Sequence, residues 1–300
     1  MKATPNLKRV KVAQEQGLKL TPTLVSYFMS NPEPFYPTDI AEMIADQLTT
    51  PGRVRTGSLA ASSLPLHCYR AGVFQWIGAD QNASRDELRD AILNNLFLDG
   101  HWRHLRLQAT LLVTDLIDTI EHPLHHKELN IRGTADGISF EHGYGVEIKG
   151  AHDFSFQMLG NMKKPLDSHY WQTQAYLMLT GFDRWYVLYE NKNTSDFKEF
   201  VVEPDQFMFD EIRQYARTVN TVLEHSRELP PMLPGCTQHD DTFKRCQYST
   251  LCGGLSGSWP SDRQVSVSRS QLPMPKRKRG TVTKLPSVSV SSPSGAEGFQ

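Results

Sequence analysis

The feature that most constrains the fold is the segment IRGTADGISFEHGYGVEIKG at 131–150, which has the pattern of a two-stranded hairpin. Strand-forming residues occupy both arms, and the glycine-rich EHGYG between them is typical of a turn. Because successive side chains of a strand point to opposite faces, Glu147 and Lys149 share one face, and Val146 and Ile148 share the other. The apolar pair is expected to enter the core. The second arm therefore carries an acid and a base side by side.

A second carboxylate, Asp136, lies in the first arm of the hairpin. It has the same parity as Ile138 and Phe140, so regular alternation would point it into the core with them. Gly133 and Gly137 flank it, and glycines within a strand permit a kink. If such a kink re-aims Asp136 and the arms pair across the turn, three charged groups converge.

Three converging charges admit two interpretations. Two neighbouring carboxylates repel each other unless one is protonated or a cation lies between them, and hard oxygen ligands suit Mg²⁺ or Mn²⁺. A lysine beside them can orient an attacking water or stabilise negative charge that develops on a phosphate. The other interpretation is a cross-strand salt-bridge cluster on an exposed face of the sheet. The hairpin alone leaves both interpretations open.

The segments around the hairpin predict an α/β domain with a central mixed β-sheet flanked by helices. Helical patterns precede it at 38–48, 84–97 and 101–120, a helix follows at 167–181, strands are expected at 183–192 and 197–204, and a last helix at 205–225. The order of helices, hairpin, helix, two strands and helix favours a sheet with helices on its faces. His125 and His126 fall between predicted elements, and we expect them in a loop.

Four short motifs occur in order around the hairpin and carry a resemblance. They are GHWRH ending in His104, GTAD ending in Asp136, EIK from Glu147 to Lys149, and QTQAY from Gln172 to Tyr176. This order resembles the PD-(D/E)XK nuclease superfamily, and specifically its RecB-like exonuclease branch. The resemblance implies a restriction-endonuclease-like core with a helical N-terminal region.

The resemblance also implies roles for these residues. Asp136 and Glu147 would ligate the metal ion, Mg²⁺ or Mn²⁺, with help from His104 and the carbonyl oxygen of Ile148. Lys149 would position the attacking water or stabilise the transition state.

Gln172 and Tyr176 lie four residues apart on one helix face, where they would hold Lys149 or the DNA backbone. Two other assignments stay open. His101, one turn before His104, competes for the histidine position, and Tyr176 also fits an ordinary core position.

The four cysteines suggest a second site. One lies before the predicted core and three lie after it: Cys68, Cys236, Cys246 and Cys252. One upstream and three downstream cysteines resemble the iron–sulfur subset of RecB-like nucleases, which includes CRISPR-adaptation nucleases and AddB-type subunits. Four thiolates suit a [4Fe–4S] cluster. The nine-residue gap after Cys236 departs from the tighter C-x₂-C spacing, so Zn²⁺ and four unrelated thiols remain alternatives.

Charge is unevenly distributed along the chain. The chain has 32 basic and 33 acidic residues, of which seven basic and two acidic residues lie from residue 254 onward. Residues 1–253 therefore carry 25 basic and 31 acidic residues, a net charge of −6. An acidic body is not the usual footprint of a nucleic-acid binder, so DNA contact would need a local basic patch or metal ions. The chain lacks an apolar run of about 20 residues and a signal-peptide core, which indicates no membrane association and an intracellular, cytoplasmic location. The KRKR segment at 276–279 has the composition of a nuclear localisation signal, so a nuclear location is an alternative.

The sequence divides into four predicted regions. These are a helical N-terminal region at 1–100 with the first cysteine, a nuclease core at 101–230, a cysteine-bearing segment at 231–253, and a basic Ser/Pro-rich tail at 254–300 that we interpret as disordered.

Together these features predict a metal-dependent DNA nuclease. The resemblance implies an exonuclease with single-stranded ends as its substrate. Recombination, repair or replication in a phage or mobile element would suit it. A helicase or recombination partner is conceivable, because the chain has no P-loop motif of its own. The alternatives are a non-catalytic nucleic-acid-binding or assembly protein on a nuclease-like scaffold, and a restriction-type endonuclease. The complete acid–acid–lysine set favours the enzyme.

Overall fold

The computed structural model describes residues 18–49, 57–66, 68–79, 87–225, 229–233, 236 and 246–253. The α-helices in these ranges are α1 (Leu20–Ser30), α2 (Thr38–Thr49), α3 (Tyr69–Trp76), α4 (Glu87–Val113), α5 (Asp153–Gly160), α6 (Asp167–Thr180), α7 (Gln206–His225) and α8 (Ser249–Gly253). The strands are β1 (Leu59–Ala60), β2 (Thr119–His126), β3 (Ile131–Ser139), β4 (Tyr144–Ala151), β5 (Arg184–Asn191) and β6 (Phe197–Val202), with a 3-10 helix at Ala61–Leu66. The predicted α/β class, a mixed sheet flanked by helices, is confirmed.

The six strands form one sheet that is split at its centre. β4 runs parallel to β5 and β1 parallel to β3, whereas the β2–β3, β3–β4 and β5–β6 pairs are antiparallel. β2 pairs with β3 from Ile131 to Ile138, so it lies along one edge of that strand. β1 and β4 must share the other edge, where they pair with residues 131–132 and 137–139 respectively. Among the described strands, none pairs with residues 133–136 on that edge.

Helices cover both faces of the sheet. On one face α1 and α4 pack against β4 and β5, through Leu20, Leu24, Leu107, Leu111, Val146, Ile148, Tyr186 and Leu188. On the other face α6 packs against β5, and α7 packs on α6 and α3 in the same apolar cluster, through Ala175, Tyr176, Ile212, Ala216, Trp185, Val187 and Tyr189. The face of β4 that carries its charged residues is therefore also enclosed.

The helix predicted at 101–120 ends early, at Val113. Asp115 adopts a left-handed conformation with φ 53°. Its N–H bonds to the carbonyl of Leu112 at 3.0 Å, and the next N–H bonds to the carbonyl of Leu111 at 2.9 Å. This is the Schellman arrangement that ends helices, usually with glycine at the left-handed position. Aspartate tolerates that conformation, so the usual sequence signal was missing.

The strand β2 was not predicted, and it corrects one expectation. His125 and His126, which we expected in a loop, are strand residues that pair with Arg132 and Ile131. Asp118, just before the strand, accepts hydrogen bonds from the backbone N–H groups of Phe140 (2.5 Å) and Glu141 (3.2 Å). This contact ties the start of β2 to the hairpin turn.

The described helices include none with the length and apolar character that crossing a membrane requires.

A close contact within the sheet generates a stability prediction. Gly145 of β4 pairs with Trp185 of β5, and a Cβ on Gly145 would overlap the buried indole ring. Gly145→Ala should therefore lower the free energy of unfolding by about 1–3 kcal/mol. Gly100→Ala is the matched control, because nothing lies within 4 Å of a Cβ at that position of α4. It should raise stability by up to about 1 kcal/mol. Urea unfolding of both variants measures this, and equal effects would contradict it.

Candidate active site

Asp136 lies in the split of the sheet, on the edge of β3 that β4 leaves open. Its Oδ2 accepts a hydrogen bond of 2.6 Å from the backbone N–H of Ile148. The carboxylate thus takes the place of a missing ladder bond and satisfies a buried donor. Ala135 and Ile138 pack into the same core, although regular alternation would place them on opposite faces. The strand therefore has the kink that its flanking glycines suggested, and the kink is at Asp136.

Tyr176 of α6 fills the split from the other side. Its hydroxyl donates to the backbone carbonyl of Thr134 at 2.9 Å. Its ring occupies the space beside Gly133, where a Cβ would overlap it. Tyr176 is therefore both a core residue and a hydrogen-bonding partner of the separated strand.

Glu147 is buried, with 2% of its surface exposed, and Asp136 has 8% exposed. The ammonium of Lys149 forms an ion pair with Oε1 of Glu147. Gln172 of α6 donates from Nε2 to the same Oε1 at 2.8 Å and to the Tyr176 hydroxyl at 2.9 Å. The two acids are thus enclosed, which contradicts a surface salt-bridge cluster. Gln172 contacts Glu147, whereas Lys149 was one of its expected partners.

His104 and Glu121 complete the cluster around Asp136. Nδ1 of His104 lies 3.5 Å from Oδ1 of Asp136. One ligand atom from each of the three residues lies within 4.8 Å of the other two. Gln108 of α4 donates from Nε2 to Oε1 of Glu121 at 2.8 Å and to the carbonyl of Asp136 at 2.9 Å. His101, the competing histidine, is exposed.

Sequence analysis missed Glu121 and Gln108. Glu121 has φ 47°, a left-handed conformation that is uncommon for glutamate and is often retained at functional sites. It lies on β2, in a stretch that the sequence analysis assigned to the end of a helix and a loop. The period-two pattern of IEHPL was the available signal for a strand there, and Pro123 disfavours continuation of the preceding helix.

Burial and mutual repulsion divide the charge unequally between the two central acids. Burial favours the neutral form of Asp136, but the neighbouring charge of His104 outweighs it and lowers the pKa of Asp136. Burial, and then repulsion from Asp136, raise the pKa of Glu147 to about 7. Burial works against the charge of Lys149, but Glu147 and Asp136 outweigh it and raise the pKa of Lys149. Asp136 is therefore a fixed anion, Lys149 a fixed cation and Glu147 a carboxyl poised near neutrality. Burial works against the charge of His104 as well, but Asp136 outweighs it and raises the pKa of His104.

This donor set fits a hard divalent cation. Carboxylate oxygens and one imidazole suit Mn²⁺ or Mg²⁺. When each donor atom lies about 2.1 Å from an octahedral ion, the donor atoms lie about 3 to 4 Å from one another. This is compatible with the spacing of the ligand atoms of His104, Glu121 and Asp136. Within the described part of the chain, Oε2 of Glu147 is buried and has no hydrogen-bond partner. Glu147 is not one of the three residues whose ligand atoms cluster. A cation that also reached its Oε2 would supply the partner that this oxygen lacks and would keep both acids ionised.

His169 lies behind Lys149 and was not predicted. Its Nδ1 is 2.6 Å from the hydroxyl of Tyr189. Burial, and then the charge of Lys149, lower the pKa of His169 to about 4, so its ring is neutral at pH 7.

Three of the cysteines lie around one part of the core. Cys68, Cys246 and Cys252 all pack in the apolar cluster beneath α3 and α7. Arg70 of α3 reaches the sulfur of Cys252, with Nη1 at 3.4 Å. Burial raises the pKa of the Cys68 thiol. Cys236 is half-buried, and its backbone N–H bonds to Leu233 at 2.9 Å.

No protein-family model and no curated protein matches this chain. Similar solved structures include SSO0001, at 18% identity, covering 71% of this chain and 93% of that one, with a TM-score of 0.42. The alkaline exonuclease LHK-Exo from Laribacter hongkongensis is 16% identical, and the match covers 61% of this chain and 92% of that one with a TM-score of 0.43. That exonuclease is also solved in complex with dAMP. A phage-related exonuclease from Haemophilus somnus 129PT is 14% identical, and the match covers 54% of this chain and 91% of that one with a TM-score of 0.34.

The raised pKa of Glu147 predicts a pH dependence of stability in the metal-free protein. Its ordinary pKa is 4.5, and in the folded protein it is about 7, so folding favours the protonated carboxyl. The stability contributed by this group is complete below about pH 4.5 and is lost as the pH rises through about 7. The free energy of unfolding of wild-type protein should therefore fall relative to Glu147→Gln across that window. Denaturant unfolding in chelator checks this, and a difference independent of pH would contradict it.

Proposed function

We propose that this protein is a metal-dependent DNA nuclease that hydrolyses phosphodiester bonds from DNA ends, an exonuclease. The observation that carries the proposal is the enclosed convergence of Asp136, Glu147 and Lys149 in the split of the sheet, with His104 alongside. Burying such a cluster costs free energy, and carboxyl groups with perturbed pKa values concentrate at functional sites.

The cation would be held by Asp136 and Glu147, with His104, Glu121 and the carbonyl of Ile148 as further donors. When bound, it would polarise the phosphoryl oxygen and lower the pKa of the attacking water. Asp136 is suited to this task because its Oδ2 is fixed by the backbone bond to β4, which orients the carboxylate as a whole.

Lys149 is the catalytic cation of the proposal. Glu147 fixes its ammonium, and its raised pKa keeps it charged. A fixed ammonium beside the scissile phosphate would stabilise the negative charge that grows in the transition state, or orient the water. Gln172 and Tyr176 are positioning residues: Gln172 donates to Oε1 of Glu147, and the Tyr176 hydroxyl accepts from the same amide and so holds it. Oε2 of Glu147 would remain for the cation.

The proposed substrate is DNA with a single-stranded end. Because residues 1–253 carry a net charge of −6, contact with phosphates would depend on the cation and a few local basic side chains. Work beside a helicase or recombination partner, in phage or mobile-element DNA metabolism, belongs to the same proposal.

The cysteines are proposed to hold a structural [4Fe–4S] cluster, with Zn²⁺ as the alternative. Soft thiolate donors suit both. Supporting the proposal, Cys68 and Cys246 lie far apart in sequence yet pack against one part of the core. A shared inorganic group there would join the segment before the nuclease core to the segment after it.

Cleavage of end-labelled linear DNA tests the nuclease proposal. Wild-type protein should release label from single strands in Mg²⁺ or Mn²⁺ but not in chelator. Lys149→Ala should cut about 10²–10³-fold more slowly, the usual loss when one electrostatic contact to the transition state is removed. Lys127→Ala, at an exposed lysine after β2, is the matched control and should cut like wild type.

Closed circular single-stranded DNA separates the two modes of cutting, because an exonuclease leaves circles intact. Rapid cutting of circles would contradict the exonuclease assignment. Unimpaired cleavage by Lys149→Ala would contradict the site.

The cysteine proposal is tested by metal analysis of protein purified without oxygen. Wild-type protein should be brown and contain iron and sulfide, whereas Cys68→Ser and Cys246→Ser should each lose more than half of the iron. Ser249→Ala, close to Cys246, is the control and should keep it. Colourless wild-type protein with one zinc ion would replace the cluster by the alternative.

A further inference from the structure

Gln108 of α4 holds two parts of the proposed cation site with one amide nitrogen. Its Nε2 donates to Oε1 of Glu121 at 2.8 Å and to the backbone carbonyl of Asp136 at 2.9 Å. Both partners are acceptors, so the nitrogen of the amide must face them, and its oxygen cannot. The side chain is fully buried, and its Oε1 has no hydrogen-bond partner among the described residues. The two acids therefore set the orientation of this amide, and the needs of its own oxygen do not.

The contact lies where the pairing of β2 with β3 is interrupted. The residues on either side of Glu121 pair with the residues on either side of Asp136, so the two acids fall opposite each other, but they do not themselves pair. Glu121 also leaves the strand conformation, with φ 47°. Like charges placed directly opposite on neighbouring strands are destabilising. The two strands thus bring two acids together at a break in their ladder, and the Gln108 amide gives the carbonyl of Asp136 a donor there.

The same face of α4 brings His104 to the two acids. His104 and Gln108 lie four residues apart, so they share one side of the helix. Nδ1 of His104 lies 3.5 Å from Oδ1 of Asp136, and one ligand atom from each of His104, Glu121 and Asp136 lies within 4.8 Å of the other two. Three donors from one helix and two strands therefore converge through contacts of the chain alone, and Gln108 is the residue that bonds to two of the three.

We propose that Gln108 is a positioning residue that presets the cation site, so that the cation binds the free protein without needing a DNA phosphate to complete the site. This inference rests on the proposed nuclease function. A residue that hydrogen-bonds to a metal ligand fixes the orientation of that ligand. Without the Gln108 amide, Glu121 loses the hydrogen bond that holds it against Asp136, and repulsion between the two carboxylates turns Glu121 away from the site.

The test measures the affinity of the free protein for Mn²⁺, from the electron paramagnetic resonance signal of unbound Mn²⁺ in the absence of DNA. Gln108→Met keeps an unbranched side chain of similar length and removes the donor. It should raise the Kd for Mn²⁺ about 10–100-fold, the usual effect of losing a residue that orients a metal ligand. In a Glu121→Ala background the same change should alter Kd by less than about twofold, because the ligand that Gln108 positions is already gone.

Gln174→Met is the matched control. Gln174 of α6 is equally buried, and its amide also holds two points of the chain: it donates to the carbonyl of Glu203 at 2.8 Å and accepts from the N–H of Asp205 at 3.0 Å. Both variants should unfold at lower urea concentration than wild type, because each loses buried hydrogen bonds. Only Gln108→Met should lose affinity for Mn²⁺. An equal loss of affinity in both would show general loosening and overturn the positioning role.

A second variant covers the case in which Gln108→Met does not fold. Gln108→Asn keeps an amide but is shorter by a methylene group, so it cannot reach both acceptors from the same position on α4. The same rise in Kd and the same dependence on Glu121 are expected of it, and an affinity equal to that of wild type would overturn the positioning role.

Binding with and without DNA distinguishes failure of this inference from failure of the nuclease proposal. The DNA arm uses protein carrying Lys149→Ala, so that the DNA survives. Mn²⁺ binding that is lost in Asp136→Asn but unchanged in Gln108→Met overturns the role of Gln108 alone. Mn²⁺ binding that appears only when DNA is added overturns the preset site and leaves the nuclease proposal standing. Absence of Mn²⁺ binding under both conditions overturns the metal-dependent nuclease and this inference together.

Discussion

The hydrogen bond between the Ile148 N–H and the Asp136 carboxylate is the contact on which the rest of the site depends. β3 and β4 pair for only three residues beyond the turn, and the backbone groups past that point need other partners. Asp136 serves one of them and Tyr176 serves another, on Thr134. The strands are thereby held apart by side chains that are themselves fixed.

Enclosure then gives the cluster its chemistry. At the surface, water would screen the acids from each other, and the lysine would be one of many weak ion pairs. Between helices on both faces, burial and then repulsion from Asp136 raise the pKa of Glu147 to about 7, and one of its oxygens lacks a hydrogen-bond partner among the described residues. A divalent cation would reduce the repulsion between the two acids and would give that oxygen a partner. The proposed function thus follows from the cost of burying the two acids together.

Local patterns in the sequence were enough to predict the hairpin, α6, the β5–β6 pair and α7, because each has a clear period and glycine or capping signals at its ends. The hairpin predicted that Glu147 and Lys149 share a face. Regular alternation pointed Asp136 into the core instead, so its meeting with them depended on a kink at the flanking glycines. Glu121 could not be found in this way. Its position depends on α4 ending at Val113, with Asp115 rather than a glycine in the left-handed position, and on a long-range pairing of β2 with β3. The partner of Gln172 was likewise set by how α6 packs against the sheet, which no local pattern encodes.

The most direct test of the account is to locate the cation. Crystals grown with Mn²⁺ should give an anomalous-scattering peak within coordination distance of the Asp136 carboxylate, with His104 and Glu121 or Glu147 among its other donors. The peak should vanish in Asp136→Asn, while Asp99→Asn, an exposed aspartate of α4 that pairs with Arg103, should keep it. A well-ordered Mn²⁺ bound elsewhere, with no peak at Asp136, would contradict the central claim.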